Sequence, residues 1–84
     1  SINDFEELSD VRVYPNPVVG SVLFIENSSN SLIEEVEIYD VVGKKILSSK
    51  INNNSVDVSQ LTPGVYFVKI YSGQNQVTKK IIKK

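Results

Sequence analysis

Tyr66-Phe67-Val68-Lys69-Ile70-Tyr71 decides the fold. Successive side chains of an extended chain point to opposite faces, so Tyr66, Val68 and Ile70 share one face while Lys69 and Tyr71 share the other. The same period of two recurs on either side of this stretch: Val11 and Val13 flank Arg12, Val36 and Ile38 flank Glu37, and Val56 and Val58 flank Asp57. Of the 34 hydrophobic residues 22 are Val or Ile and none is Ala, a bias that suits pleated strands and works against helices. Val22-Leu23-Phe24-Ile25 is continuously apolar and predicts a central strand covered on both faces.

Turn residues separate these runs at about 8 to 12 positions, the rhythm of a sandwich or barrel. Pro15-Asn16-Pro17, the stretch from Asn27 to Ser31, Val42-Gly43-Lys44, Asn52-Asn53-Asn54, Thr62-Pro63-Gly64 and Ser72-Gly73-Gln74-Asn75 make six breaks. They delimit seven strands near 11–14, 22–26, 33–40, 45–51, 55–58, 64–71 and 76–83. Short strands at this spacing predict an all-β domain of two packed antiparallel sheets. A helical turn fits only in residues 4–9, too short to stand alone.

Eighty-four residues allow one small domain. The chain holds no Cys, His, Met or Trp, so thiol nucleophiles, Ser-His-Asp triads, imidazole acid–base work and the usual zinc sites lack their parts. Neither an enzyme activity nor a cofactor is expected. No run reaches the ~18 to 20 apolar residues of a membrane-spanning helix, so no transmembrane segment is expected. The opening Ser1-Ile2-Asn3-Asp4, without an initiator Met, reads as a piece of a longer protein. Residues 1–10 have the character of a linker, and residues 11–84 form the domain.

Net charge is −1, but residues 1–40 hold nine acids and one base, and residues 41–84 one acid and eight bases. Two explanations stand: strands from the two halves pair and neutralise each other, or the basic half forms a docking face. Nucleic acid fits poorly, because Lys79, Lys80, Lys83 and Lys84 form a terminal cluster without interleaved stacking aromatics.

Glu34, Glu35, Glu37 and Asp40 are the densest acidic group, and they alternate between two faces of a strand, which is the pattern of a solvated outer face. A calcium loop of the D-x-D-x-D-G kind is absent, so no metal site is expected. Asn27-Ser28-Ser29 and Asn53-Asn54-Ser55 match the N-glycosylation triplet, though turn chemistry accounts for them. Gly43, after Asp40-Val41-Val42, is expected to supply a positive φ that reverses one strand into the next. Pro63-Gly64 launches the strand that carries Tyr66. Pro15-Asn16-Pro17 removes two backbone donors and forces the chain out of its sheet. Tyr14, Tyr39, Tyr66 and Tyr71 could form a binding surface, but they read as core fillers with their hydroxyls at the rim, Tyr66 the most core-like.

Three ordered pieces, Val13-Tyr14-Pro15-Asn16-Pro17, Ile38-Tyr39-Asp40-Val41-Val42-Gly43-Lys44, and Leu61-Thr62-Pro63-Gly64-Val65-Tyr66-Phe67-Val68 followed by Thr78-Lys79-Lys80-Ile81-Ile82-Lys83-Lys84, resemble the type A C-terminal sorting domain of type IX secretion cargo. The resemblance covers residues 11–84. It implies an immunoglobulin-like sandwich of seven strands that is not an enzyme but an address label for a cargo protein. It implies as partners an outer-membrane translocon, its shuttle protein and a sortase-type peptidase, with passage through the periplasm to the cell surface or beyond. Residues 1–10 would then hold or follow the cleavage region. Gly43, Leu61, Gly64, Tyr66, Lys79 and Lys80 match the family's signal motifs, Pro15, Asn16 and Pro17 belong with them, and Lys83 and Lys84 end the terminal recognition strand.

A terminal strand with unpaired backbone groups and a row of lysines can be read by strand addition and charge, and the same edge allows pairing with a second copy. The rival reading is an immunoglobulin- or fibronectin-like accessory module binding carbohydrate or matrix at the cell surface, which predicts an exposed aromatic patch.

Overall fold

The computed structural model of the chain describes residues 11–27, 33–51, 54–73 and 75–84. They contain β1 (Val11–Tyr14), β2 (Val22–Asn27), β3 (Glu35–Tyr39), β4 (Lys45–Lys50), β5 (Ser55–Asp57), β6 (Gly64–Ser72) and β7 (Asn75–Lys83). Every strand falls within two residues of where alternation and turn residues place it. The helical turn expected in 4–9, the linker 1–10 and both glycosylation triplets lie wholly or partly outside the described residues.

The strands form a three-stranded sheet in the order β1-β2-β5 and a four-stranded sheet in the order β4-β3-β6-β7, with every neighbouring pair antiparallel. A constant-type immunoglobulin domain places its fourth strand beside the fifth. Here the fourth lies beside the third, because a tight turn leaves it no other place. The Gly43 N–H donates to the Asp40 carbonyl at 3.1 Å and the Asp40 N–H to the Lys44 carbonyl at 3.0 Å. The Asp40 carboxylate meanwhile accepts from the N–H groups of Val42 and Lys44 at 3.0 and 2.9 Å. Gly43 has φ +91°, and the ladder shifts register between Ile38 and Tyr39. Three residues between the bonded pair Asp40 and Lys44, the last a left-handed glycine, make the next strand an antiparallel neighbour in the same sheet. The product is an immunoglobulin-like sandwich of seven strands.

The core takes alternate residues from both sheets: Leu23 and Ile25 of β2, Val36 and Ile38 of β3, Tyr66, Val68 and Ile70 of β6, with Val11, Val56 and Ile81. Val18, Ile33, Val58 and Leu61 seal it from the connections. Val13, expected in the core and placed by alternation on the same face of β1 as fully buried Val11, is only half-buried and packs against the margin of this core. Val22-Leu23-Phe24-Ile25 corrects a second expectation. β2 is central in its sheet, yet Val22 and Phe24 are 38% and 42% exposed. A two-layer sandwich covers one face of each sheet, and the other face of β2 has only its neighbours: the Phe24 ring stacks on Tyr14, its partner on β1, at 5.5 Å.

Tyr66 joins core to connection. Its ring is buried, and its hydroxyl donates to the Thr62 carbonyl at 2.7 Å and lies 3.1 Å from the Thr62 hydroxyl. A tyrosine near the start of the sixth strand, bonded back to the preceding corner, is the tyrosine corner of immunoglobulin-like sandwiches.

A Cβ on Gly43 would meet nothing within 4 Å, so substitution there tests the backbone alone. Gly43→Val is expected to destabilise the domain by about 1 to 3 kcal/mol, and Gly43→Asn by less, because Asn tolerates the left-handed region. Chemical denaturation checks this; a wild-type midpoint for Gly43→Val contradicts it.

Candidate functional site

β7 is antiparallel to β6 and β6 to β3, so β7 and β3 run the same way. Tyr39 lies opposite Phe67 and Phe67 opposite Lys80, while Gly64 lies opposite Lys83. Just beyond Tyr39 comes the Asp40–Gly43 turn, just before Gly64 comes Leu61-Thr62-Pro63, and just beyond Lys80 the chain runs to Lys84. Motif segments from distant parts of the sequence therefore meet at one end of the four-stranded sheet.

Pro15-Asn16-Pro17 reaches the same end from the other sheet. Both bonds, Tyr14–Pro15 and Asn16–Pro17, are cis. The Asn16 side-chain amide donates to the Lys80 carbonyl at 3.1 Å and accepts from the Ile82 N–H at 3.0 Å. The Val18 N–H donates to the Ile82 carbonyl at 2.7 Å, and the Val18 carbonyl accepts from the Lys84 N–H at 2.8 Å. This is the bonding of a parallel strand, in which one residue bonds the positions before and after its neighbour. The Asn16 amide stands in for the backbone that Pro15 and Pro17 cannot supply as donors.

The expected open edge is thus half closed. The groups of β7 that face away from β6 belong to its even-numbered residues, and from the Lys80 carbonyl to the Lys84 N–H they are occupied by Asn16 and Val18. Only the groups of Gln76 and Thr78 and the Lys80 N–H face outward without a hydrogen-bonded strand beside them among the described residues, β1 standing across a cleft.

The expected row of lysines is also divided. Lys79 and Lys83 alternate with Ile81, fully buried, and stand half-buried on the sandwich side; Lys80 is exposed on the outer side. Their stems cover apolar surface while the ammonium groups reach water. Among the described residues no Asp or Glu lies within ion-pair distance of Lys79, Lys80, Lys83 or Lys84, and the Lys83 ammonium donates to the Lys84 main-chain oxygen at 3.4 Å. Lys79 and Lys80 border an open cleft of about 520 Å³ between β7 and β1, with Arg12, Tyr14 and Asn16 on its other wall. Leu61 and Tyr66, by contrast, are buried in the core.

The acidic strand β3 lies between two basic ones, with Glu35 opposite Lys50 and Glu37 opposite Lys69. The Lys45 ammonium sits 3.4 Å from Glu37, which joins the two oppositely charged halves of the chain. A second pair, Arg12 to Glu26 at 2.9 Å, stays within the first half. Glu37 departs from the solvated-face expectation: its side chain is only 15% exposed. The hydroxyls of Tyr71 and Tyr39 both donate to its Oε1, at 2.7 and 2.8 Å. Hydrogen bonds from Tyr71 first, then Tyr39 and Lys45, hold its pKa below the usual carboxylate range. The same carboxylate pushes the Tyr71 phenol up to about 12 and raises that of Tyr39. Sequence reasoning missed this cluster and the Asn16 bonds. Outward positions on single strands were readable, but which strands pair, and in what register, was not.

Residues 12–84 match the family described as secretion system C-terminal sorting domain. An endo-acting ulvan lyase of Formosa agariphila is 35% identical over 80 residues, covering 90% of this chain and 15% of the lyase. An ulvan lyase of Nonlabens ulvanivorans is 29% identical over 85 residues, covering 94% of this chain and 15% of the lyase. The chain thus spans about 15% of the length of these curated relatives. Among solved structures, PorZ, an essential surface component of the type-IX secretion system of Porphyromonas gingivalis, superposes with a TM-score of 0.66 at 20% identity, covering 94% of this chain and 12% of PorZ. At that identity the likeness is one of fold.

Asn16→Ala is expected to lower stability by about 1 to 2 kcal/mol, since it frees one donor and one acceptor on β7, and thermal denaturation reads it. A wild-type midpoint contradicts the strand-like role. The Glu37 cluster gives a pH signature. A depressed carboxyl pKa contributes stability that is full above the ordinary value of 4.5 and disappears as pH falls through the folded value. The loss in melting temperature on Glu37→Gln is therefore expected to be larger at pH 7 than under acid conditions. Tyr71 should ionise near 12 in the wild type and closer to 10 in Glu37→Gln, followed by phenolate absorbance. Unchanged Tyr71 ionisation contradicts the assignment.

Proposed function

Because the chain belongs to the family of secretion system C-terminal sorting domains, we propose that it directs a cargo protein from the periplasm across the outer membrane by the type IX system. In this reading residues 11–84 are the sorting unit, and residues 1–10 hold or follow the bond that a sortase-type peptidase cuts. The translocon and its shuttle protein read the folded domain, which catalyses nothing itself. The cargo then reaches the cell surface or the medium. The ulvan lyases above carry their matching segments as a small part of much longer chains, which fits a sorting domain attached to a larger cargo.

The observation that carries the reading beyond family membership is the meeting of the motif segments at one end of the sandwich, beside four lysines that no described Asp or Glu pairs with. Buried Leu61 and Tyr66 hold that end in place, and Gly43 and Gly64 shape its turns. Asn16, between Pro15 and Pro17, seats the last strand. Lys79, Lys80, Lys83 and Lys84 supply the charge a partner can meet. The rival accessory-module reading rests on the exposed pair Tyr14 and Phe24, but each is the other's cross-strand partner and their stacking already accounts for them.

The test is export of a periplasmic reporter fused to residues 1–84 in a strain with an intact type IX system. Surface delivery that requires the system is expected. A variant with Lys79, Lys80, Lys83 and Lys84 all changed to Gln should melt within about 1 kcal/mol of wild type and export poorly. Retention of the wild-type fusion in the periplasm overturns the sorting reading; normal export of the four-lysine variant overturns the role of the lysines.

A further inference from the structure

A sandwich of two open sheets has four edge strands, here β1, β5, β4 and β7. An edge invites strand addition in proportion to the unpaired backbone it offers. β5 has three residues and β1 four, and β1 runs straight into Pro15. β4 has six, but its Lys45 is already paired with Glu37, and Glu35 and Glu37 stand on the neighbouring strand. β7 has nine, its outward groups stay open over Gln76–Lys80, and no described Asp or Glu answers its lysines.

We propose that an extended acidic peptide segment adds as a strand to the open edge of β7 at Gln76–Lys80, with its carboxylates on Lys79 and Lys80. The proposal rests on the sorting reading and names the chemistry of the contact its partner makes. The Asn16 amide sets where the added strand ends, because it already occupies the Lys80 carbonyl and the Ile82 N–H. The added strand therefore bonds the groups of Gln76 and Thr78 and the Lys80 N–H and goes no further.

Charge selects the occupant. Lys79 stands half-buried on the sandwich side of the edge and Lys80 exposed on the outer side, both bordering the cleft, so the matching segment bears acids on both of its faces, that is, at adjacent positions. A second copy of this chain is a poor occupant. Two β7 edges brought together would gather the unpaired lysines of both copies, and like charges across a ladder are destabilising.

The probe is a capped peptide about six residues long, the reach of the open stretch at ~3.4 Å per residue, made of valine and threonine around a pair of adjacent glutamates. Its control has lysines in place of the glutamates. In an NMR titration of residues 1–84, the glutamate peptide should shift the backbone amides of Gln76, Thr78 and Lys80 to saturation. The lysine peptide should not, and binding should weaken at least about threefold between low and high salt. The double variant Lys79→Glu, Lys80→Glu should reverse the preference between the peptides. Thr78→Pro removes one outward donor that the β6 ladder does not use. It should keep its melting temperature and bind the glutamate peptide about tenfold more weakly.

Equal response to both peptides, no response, or shifts confined to β4 or β5 overturn the proposal. So does a shift of these amides with protein concentration alone, which assigns the edge to a second copy. If the wild-type fusion is exported while the peptide fails to bind, the docking proposal falls and the sorting function stands. If the peptide binds and the fusion is not exported, the sorting function falls, and with it the identification of this contact as the one a secretion partner makes.

Discussion

β6 pairs with β3 on one side and with β7 on the other, and its register sets both the core and the candidate site. Its even-numbered residues, Tyr66, Val68 and Ile70, are buried against the other sheet, and β3 and β7 must align their own apolar residues with that row. A slip of one residue would turn every side chain to the opposite face, so burial allows one register. That register also fixes Tyr39, Phe67 and Lys80 in line, and Gly64 opposite Lys83. The tyrosine corner ties the start of β6 to the chain that enters it, which locks the same end from within.

What the sequence made legible follows from what is local. Alternation and turn residues are short-range signals, and they locate all seven strands and the left-handed Gly43 turn. The exposure of Val22 and Phe24 was not legible, because an apolar run does not say whether a second layer covers its outer side. On the sequence alone Glu37 reads as a solvated acid, and its position on the outer face is right. The two tyrosines that cover it come from its own strand and from β6, a pairing no local signal fixes. Asn16 is the sharpest case: two flanking prolines announce an exit from the sheet, but the surrogate strand made by its amide exists only once β7 lies alongside.

The last strand therefore has two parts with different work. Its end is held by Asn16 and Val18 and by the burial of Ile81, and these contacts belong to stability. Its first half keeps an open edge beside unpaired lysines, which contribute little to folding and remain available to a partner. Family membership places such a domain at the service of secretion. On the proposed reading, the division within β7 lets one strand both close a small sandwich and be read from outside.

Native-state hydrogen exchange of the free domain tests that division most directly. The Ile82 amide should be protected and those of Gln76 and Thr78 should exchange close to the rate of exposed backbone, although all three face away from β6 in the same strand. Protection at Gln76 and Thr78 equal to that at Ile82 would show that the edge is closed along its whole length and contradict the account.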